Sequence, residues 1–357
     1  MLSARAAVRT LKEYHPPLGG REGLRLDFNE NTVGCSPRVL EALRNLDPER
    51  LAKYPEREPV EQAVAEFLGI APAQVLLTNG VDEGIHLLCE TYLESGDEVI
   101  VAVPTFSMYE IYAAATGARV ITVLAKEDFA FPTAEVLARI TGRTRLIAFA
   151  NPNNPTGRAA SREDLLKIAA AAPDAALLVD EAYFDFYGQT VLDAASTAPN
   201  LFVARTFSKA YGLAGLRIGV LAGAAEQMKM VRRVSSPYNV NGVALACLPA
   251  ALADREYIRD YVAEVGHGRE RLEKELAELS VRYWPSQANF VLALIGAESG
   301  RFVGAMRERG ILVRDRSSDP GCQGCVRMTL GSREQTDRLI AALRAVMAEL
   351  KSAKVSA

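Results

Sequence analysis

Residues 98–103 read E-V-I-V-A-V, a β-branched apolar run that lacks the alternation of a half-exposed strand. Such runs are typical of strands that are buried on both faces of a parallel sheet. Similar short runs recur along the chain, with helical stretches between them: V-L-L-T (75–78), R-V-I-T-V (119–123), R-L-I-A-F-A (145–150), A-L-L-V-D (176–180), L-F-V-A-R (201–205) and L-R-I-G-V-L (216–221). Because this spacing fits βαβ crossovers, we predict an α/β fold with a doubly wound, mostly parallel sheet and helices on both sides.

The pattern changes after about residue 239. A helical stretch near 254–279 and a final helix near 332–350 enclose four short strands: V-R-Y-W (281–284), A-N-F-V-L-A-L (288–294), I-L-V-R (311–314) and C-V-R-M-T-L (325–330). We interpret this part as a smaller C-terminal α+β domain. The predicted organisation is therefore an N-terminal arm at 1–26, a large domain at 27–250 and a small domain at 251–357.

Composition and charge exclude several classes of protein. The chain is 49% hydrophobic and 24% charged, a composition typical of globular proteins. Its 357 residues are too many for one compact core, so two domains are expected. Its net charge of -3 offers no broad basic face, so nucleic acid is not an expected partner. No apolar run approaches the roughly 18 residues of a membrane span. The first dozen residues lack the apolar core of a secretory signal, and we predict a cytoplasmic protein.

Five cysteines lie at positions 35, 89, 247, 322 and 325, an odd number without the spacing of a disulfide framework. Reduced thiols are therefore expected. Cys322 and Cys325 form a C-x-x-C in a turn-rich loop. A zinc site would need a second pair of cysteines or two nearby histidines as ligands. The three histidines of the chain, His15, His86 and His267, are all distant in sequence from this pair. We interpret the pair as incidental and predict no metal site.

The residues that follow the predicted strands carry the chemistry, since ligands of open α/β sheets bind beyond the carboxyl ends of the strands. After 75–78 comes T-N-G-V-D-E-G (78–84), where the backbone N–H groups of Val81 and Asp82 would face an anion at a helix N-terminus. A plain capped helix, with Asp82 near the cap, is the alternative.

Two further strand ends carry polar residues. After 145–150 comes N-P-N-N-P-T-G (151–157), whose prolines and glycine fix the backbone so that one or more of its three asparagines can be aimed; the alternative is a surface turn. After 176–180 comes D-E-A-Y (180–183). The charge of Asp180 would want a cation such as a protonated pyridine nitrogen, and Tyr183 could reach an oxygen on the same ring. An N-cap or a surface salt bridge is the alternative for Asp180.

The fourth strand end reads T-F-S-K-A-Y-G-L-A-G-L-R (206–217). Thr206 and Ser208 offer hydroxyl groups. Arg217 offers a guanidinium group, whose fork of paired N–H donors is suited to a phosphate. Lys209, between them, would be a nucleophile if a confined site lowered its pKa. Pyridoxal 5′-phosphate is a cofactor that suits all four strand ends. Its aldehyde would react with the lysine, its phosphate would bind to the hydroxyls, the arginine and the helix start, and its ring nitrogen would pair with the aspartate.

These motifs together resemble those of fold-type I aminotransferases, and among them the histidinol-phosphate aminotransferases, over nearly the whole chain. The stretches that carry the resemblance are L-D-F-N-E-N (26–31), K-Y-P-E (53–56), N-G-V-D-E-G-I (79–85), P-T-F-S-M-Y (104–109), N-P-N-N-P-T-G (151–157), D-E-A-Y (180–183), T-F-S-K-A-Y-G-L-A-G-L-R-I-G (206–219) and V-R-M-T-L-G (326–331). The chain departs from the family's usual pattern after N-E-N, where Thr32, Val33 and Cys35 stand.

The resemblance implies a role for each cofactor-binding residue. Lys209 would be the Schiff-base lysine and Asp180 the partner of the pyridine nitrogen. The other implied cofactor contacts are Tyr183 and Asn154 at the ring oxygen, Tyr109 stacked on the ring, Thr206, Ser208 and Arg217 around the phosphate, the backbone of Val81 and Asp82 closing that cup, and Tyr54 reaching the phosphate from the neighbouring subunit. The last contact implies a homodimer with shared active sites.

The resemblance also implies the substrate contacts. Arg327 would anchor a carboxylate or a phosphate, and Arg314 would add a second fork, because a dianionic phosphate wants two guanidinium groups and a carboxylate is satisfied by one. A solvated arginine beside Asp315 is the alternative for Arg314. Tyr14 matches the tyrosine of a mobile N-terminal arm that helps to cover the substrate, and Asn154 is expected to face the substrate as well as the cofactor.

The implied reaction is the transamination of L-histidinol phosphate with 2-oxoglutarate, which belongs to histidine biosynthesis. One alternative is an aromatic or other amino-acid aminotransferase, which would have little need of Arg314. A second is a lyase resembling threonine-phosphate decarboxylase, which would need no 2-oxo acid. A cofactor-binding transcription regulator would need an added DNA-binding domain, for which there is no room before residue 26.

Overall fold

The computed structural model describes residues 2–15, 19–20 and 22–355. The strands are Leu24–Arg25 (β1), Val75–Thr78 (β2), Glu98–Val103 (β3), Arg119–Leu124 (β4), Thr144–Ala150 (β5), Ala176–Asp180 (β6), Leu201–Thr206 (β7), Gly219–Gly223 (β8), Tyr283–Trp284 (β9), Phe290–Leu294 (β10), Ile311–Leu312 (β11), Arg314–Asp315 (β12) and Cys325–Thr329 (β13). The α-helices are Ala6–Arg9 (α1), Pro37–Arg44 (α2), Glu49–Ala52 (α3), Glu58–Leu68 (α4), Gly80–Tyr92 (α5), Met108–Thr116 (α6), Thr133–Leu137 (α7), Arg162–Ala171 (α8), Phe184–Tyr187 (α9), Ala225–Val234 (α10), Gly242–Ala253 (α11), Arg255–Glu278 (α12), Ser299–Glu308 (α13) and Arg333–Val355 (α14). Of these described helices, none combines the length and the apolar character that a membrane crossing needs.

Seven strands form the large sheet, in the order β2-β8-β7-β6-β5-β3-β4. β8 runs antiparallel to both of its neighbours, and every pair from β7 to β4 is parallel. The predicted mostly parallel sheet is therefore confirmed. The strand predicted at 216–221 is wrong at its start, because Arg217 has a left-handed φ of 52° that an extended strand does not allow, and β8 begins only at Gly219.

The side chains of β3 alternate between two buried cores on opposite faces of this sheet. Val99 and Val101 belong to a core that includes Leu88 of α5, whereas Ile100 belongs to a core that includes Ile168 of α8. Since helices cover both faces, the strand has no side that meets water, which explains its continuous apolar sequence. The doubly wound architecture is confirmed.

Four strands form a smaller antiparallel sheet, in the order β12-β13-β10-β9. The strand predicted at 311–314 is wrong as a single element, because the chain changes partners at Val313: β11 pairs in parallel with β1, and β12 pairs with β13. The first of these pairings sets Leu24 beside Ile311, so the segment before the large sheet is bound to the C-terminal part of the chain. The domain boundaries at 26 and 250 stay a prediction.

Candidate active site

Two adjoining cavities lie where β5, β6 and β7 end. The inner cavity, of about 130 Å³, has nine predicted site residues in its wall: Val81, Asp82, Asn154, Asp180, Tyr183, Thr206, Ser208, Lys209 and Arg217. The outer cavity, of about 420 Å³, has six: Tyr14, Asn154, Tyr183, Lys209, Arg314 and Arg327. Since Asn154, Tyr183 and Lys209 line both, the cavities meet at the lysine.

Lys209 is buried at the junction of the two cavities. Its Nζ donates a hydrogen bond to the carbonyl oxygen of Phe28 at 3.1 Å and lies 5.9 Å from the centre of the Tyr183 ring. Burial, with a further contribution from the positive charge of Arg327, lowers the pKa of Lys209 to about 8. A substantial fraction of the amine is therefore neutral near physiological pH, as a nucleophile or a proton acceptor requires.

Asp180 stands at the end of β6 and is only 4% exposed. Tyr109 Oη donates to its Oδ2 at 2.5 Å, and the Ala182 N–H donates to its Oδ1 at 3.0 Å. Burial outweighs these bonds and raises the pKa of Asp180 to about 6. The surface salt-bridge alternative does not fit such a buried carboxylate, and the N-cap alternative does not hold, because the following helix α9 has Tyr183 as its N-cap. Its environment suits a cationic partner brought in by a ligand, such as a protonated ring nitrogen.

The start of α5 and the loop after β7 form an anion-binding cup. Gly80 opens the helix with a φ of 75°, so the N–H groups of Val81 and Asp82 lie in its first turn, where no intrahelical acceptor exists. Ser208 Oγ is buried and has no hydrogen-bond partner among the described residues. Arg217 reaches the same cup and donates to Asp82 Oδ2 at 3.0 Å. This set of donors fits the phosphate of pyridoxal 5′-phosphate.

The aromatic residues stand beside the inner cavity in a hydrogen-bonded arrangement. Tyr183 Oη accepts a hydrogen bond from Asn29 Nδ2 at 2.8 Å, and burial raises the pKa of the Tyr183 phenol. Tyr109 is 1% exposed, and its ring meets Phe106 edge-on with centroids 5.8 Å apart. Phe106, which the sequence prediction omitted, lines the inner cavity itself. The stacking role of Tyr109 stays a prediction.

Arg327 and Arg314 face each other at one end of the outer cavity. They are direct neighbours in the β12–β13 register, so both side chains lie on the same face of the sheet. Arg327 is buried and donates from Nη1 to Asn154 Oδ1 and from Nη2 to the Asp27 carbonyl at 2.6 Å. Burial, reinforced by the positive charge of Arg316, lowers the pKa of Arg327 to about 10. Arg314 is partly buried, 5.5 Å from the Phe28 ring, which disfavours the solvated alternative.

The sequence prediction missed several residues that the fold brings to the site. Asn29 orients Tyr183, and its backbone N–H donates to Thr329 Oγ1 at 3.1 Å. It lies within L-D-F-N-E-N (26–31), one of the stretches that carry the family resemblance, so the sequence could have indicated a role for this residue. Arg316 and Glu110 line the outer cavity. Arg316 follows Arg314 by two residues, the spacing that puts two side chains on one side of a strand, whereas the sequence offers no local signal for Glu110.

Two predicted tyrosines lie farther out. Tyr14 is 44% exposed and lines the outer cavity. Tyr54 is 78% exposed, lines neither cavity, and stacks on Tyr238 with ring centroids 4.4 Å apart. Within a single chain, Tyr54 is therefore not brought to the site, so its predicted contact depends on a second subunit.

The C-x-x-C pair is buried. Cys322 and Cys325 pack with Phe129 and Trp284 in a small apolar cluster. Within the part of the chain that the structure describes, no group of three or more His, Cys, Asp or Glu side chains could hold a metal ion. The two thiols therefore have the surroundings of core residues.

The chain is similar to known proteins in sequence and in fold. Histidinol-phosphate aminotransferases of Moorella thermoacetica and of a Geobacillus species are 34% and 35% identical to the chain, each over 96% of it and over 93% and 94% of their own lengths. The structure superposes on histidinol-phosphate aminotransferase from Sinorhizobium meliloti in complex with pyridoxal-5′-phosphate with a TM-score of 0.87, at 27% identity over 97% of each chain. A double mutant of Thermus thermophilus aspartate aminotransferase gives 0.81, at 25% identity over 97% of this chain and all of that one. The family model for aminotransferase class I and II matches residues 21–343, and the chain belongs to that family.

Proposed function

We propose that this protein transfers the amino group of L-histidinol phosphate to 2-oxoglutarate, yielding imidazole acetol phosphate and L-glutamate in histidine biosynthesis. Its cofactor is pyridoxal 5′-phosphate. The observation that carries the choice of substrate is the placement of Arg314 directly opposite Arg327 in the sheet. The relatives of the same name support that choice.

Two like charges directly opposite each other destabilise an antiparallel pair of strands. Here Arg316 adds a third guanidinium to the same cavity wall, although it is paired with Asp319. An anion with two negative charges would offset the repulsion between Arg314 and Arg327, and a phosphate monoester can accept from both forks. The carboxylate of an ordinary amino acid would need only one of them, which disfavours the aromatic aminotransferase alternative.

Pyridoxal 5′-phosphate fits the inner cavity by the chemistry of its wall. Ser208, Arg217 and the first turn of α5 would hold the phosphate, Asp180 would hold the ring nitrogen, and Lys209 would hold the aldehyde carbon. When bound, the cofactor supplies an aldehyde that takes up the amino group and a ring that draws electrons from the neighbouring carbon.

The chain's own residues position the substrate and move the proton. Lys209 Nζ, with its pKa near 8, can accept the proton of the substrate's α-carbon and donate it again from the ammonium form. Asp180 would accept a hydrogen bond from the ring nitrogen and so favour its protonated form. Arg314 and Arg327 fix the far end of the substrate, and Tyr14 covers the outer cavity and excludes water.

We also propose a homodimer with shared active sites, in which Tyr54 reaches the cofactor phosphate of the partner subunit. The exposed ring of Tyr54 and the exposed side chains of Leu40, Leu43 and Leu51 lie in one N-terminal segment, and apolar groups of this kind favour a covered surface. The five free cysteines fit a reducing compartment, and we propose the cytoplasm.

The proposal is tested with three amines, each with and without 2-oxoglutarate: L-histidinol phosphate, L-phenylalanine and O-phospho-L-threonine. We expect histidinol phosphate to be the best substrate and its turnover to require 2-oxoglutarate. Arg314→Ala should lower kcat/KM for histidinol phosphate about 10- to 100-fold, since a hydrogen bond to a charged group contributes about 1.5–3 kcal/mol. For phenylalanine we expect a loss of less than about threefold, because one fork suffices for a carboxylate.

Arg301→Ala is the matched control. Arg301 is exposed, pairs with Glu298 at 2.8 Å and lies outside both cavities, so its loss should change neither rate. Faster turnover of phenylalanine than of histidinol phosphate would contradict the proposed substrate. Consumption of phosphothreonine without a 2-oxo acid would indicate the lyase instead.

A further inference from the structure

The wall of the outer cavity includes two parts of the chain that differ in charge. Arg314 and Arg327 stand on the small sheet and make one part cationic. The end of β3 and the start of α6 contribute a second part, which includes Thr105, Phe106 and Glu110. A substrate that spans the cavity therefore meets cations from the small sheet and a carboxylate from α6.

Glu110 differs from Asp315 and Asp319, which line the same cavity. Asp315 accepts hydrogen bonds from Ser317, and Asp319 pairs with Arg316. Glu110 is partly buried, yet its carboxylate makes no hydrogen bond or ion pair with any residue in the described ranges. Burial raises the pKa of its carboxyl group. A carboxylate that is partly withdrawn from water without a partner is costly, and a hydrogen-bond donor in the cavity would remove that cost.

The position of Glu110 in α6 places it beside the cofactor site without entering it. The preceding residue, Tyr109, sends its hydroxyl group to Asp180. Successive residues of an α-helix are about 100° apart around the axis, so the next side chain points away from that bond. Glu110 accordingly lines the outer cavity and is absent from the wall of the inner one.

We propose that Glu110 is a specificity-determining residue that accepts a hydrogen bond from a ring N–H of the substrate. This inference rests on the proposed function and deepens it. The substrate class is then a phosphate monoester of an amino alcohol whose side chain is an N–H heteroaromatic ring, such as imidazole. Three attachments define it: the amino group near Lys209, the phosphate at Arg314 and Arg327, and the ring at Glu110. Glu110 holds the ring and transfers no proton in the reaction.

The test compares L-histidinol phosphate with L-phenylalaninol phosphate, which keeps the amine and the phosphate and lacks the ring N–H. Dissociation constants are measured by titration calorimetry on the holoenzyme after borohydride reduction, so that binding is observed without turnover. The proteins are wild type, Glu110→Ala, Glu110→Gln and the control Glu226→Ala, which removes an exposed carboxylate paired with Lys229 outside both cavities. Thermal unfolding of each variant separates a loss of binding from a loss of folding, and kcat/KM is measured in parallel.

In Glu110→Ala we expect the dissociation constant of histidinol phosphate to rise about tenfold and that of phenylalaninol phosphate to change less than about twofold, because one charge-assisted hydrogen bond is lost. Glu110→Gln, which keeps an acceptor oxygen, should recover part of the loss, and Glu226→Ala should match wild type. An equal effect on both ligands, or no effect on either, would overturn the role of Glu110 and leave the proposed function standing. A wild-type enzyme that does not prefer histidinol phosphate would overturn the proposed substrate, and this inference with it.

Discussion

A single side chain, Lys209, carries the central chemical requirement, and its surroundings explain why it can meet that requirement. Removing an ammonium group from water disfavours its charged form, and the nearby Arg327 adds to the effect. Among the described residues, its Nζ makes one hydrogen bond, to the Phe28 carbonyl, and this bond stabilises the charge only in part. The result is a pKa of about 8 in place of the ordinary 10.5, which makes the neutral amine accessible.

This lowered pKa predicts a pH dependence for the attachment of pyridoxal 5′-phosphate to the apo-protein. Only the neutral amine attacks the aldehyde, so the rate should rise as pH increases through about 8 and level off above it. The measurement is the rate of the visible absorbance change after rapid mixing between pH 6.5 and 9.5, with Lys209→Ala as the control that shows no such change. A midpoint near that of a solvated lysine would contradict the argument.

At the scale of an element, the start of α5 makes the anion-binding cup. Gly80 has a φ of 75°, and a Cβ built on it would lie 2.6 Å from Nη2 of Arg217. The close approach of this backbone to the arginine therefore needs a glycine for two reasons, its conformation and its lack of a side chain. Gly84, one turn later, has only ordinary contacts, with the nearest atom of Leu221 at 3.7 Å.

Gly80→Ala should displace Arg217 and strain the first turn of α5. We expect the dissociation constant of pyridoxal 5′-phosphate to rise at least about tenfold and the free energy of unfolding to fall by about 1–3 kcal/mol, the usual cost of a left-handed non-glycine residue that also clashes. Cofactor binding is measured by equilibrium titration of the apo-protein, and stability by denaturant unfolding.

Gly84→Ala provides the matched control in the same helix, since alanine there gains helix propensity without a clash and should leave cofactor binding unchanged. Equal cofactor affinity in the Gly80 variant and wild type would show that the arginine does not depend on this glycine.

At the scale of the whole molecule, the site depends on parts of the chain that are far apart in sequence. β1 pairs with β11, and the Thr329 N–H of β13 donates to the Leu26 carbonyl, so the N-terminal segment is bound to the small sheet. That pairing brings Asn29 to Tyr183 and the Asp27 carbonyl to Arg327. The cavities lie between the large sheet, the small sheet and this segment. Tyr54 is exposed outside both cavities, so its predicted contact with the cofactor phosphate would need a second subunit.

A shared active site predicts complementation between a subunit with impaired activity and an inactive one. Tyr54→Ala should lower kcat/KM about tenfold or more, as the loss of a hydrogen bond to a charged phosphate would, and Lys209→Ala should abolish activity. In a heterodimer of the two variants, one site has both the wild-type lysine and the wild-type tyrosine. Unfolding and refolding the mixture should therefore restore activity above the sum of the separate variants.

Size-exclusion chromatography with light scattering measures the oligomeric state in the same samples. The control is a mixture in which each variant is refolded separately before mixing. Activity of the co-refolded sample no greater than the sum of its parts would contradict shared sites.

The sequence by itself determined the architecture of the large sheet and nine residues of the inner cavity wall. Buried parallel strands read as continuous apolar runs, and their carboxyl ends converge at one edge of the sheet, so polar residues just after them are neighbours whatever the details of packing. The start of β8 at Gly219 and the break at Val313 were not predictable in this way. The first depends on the left-handed backbone of Arg217, and the second depends on a change of strand partner at Val313. The apolar pattern of the sequence indicates neither.

Only the tertiary structure decided how the substrate end is built. The register of β12 against β13 sets Arg314 opposite Arg327, and the fold brings Asn29 to Tyr183 across more than a hundred residues of sequence. It also turns Glu110 toward the same cavity from a different element. The physical reason is that such contacts join distant segments through register and packing, which depend on the whole folded chain, whereas the periodicity of a strand or a helix is a property of adjacent residues.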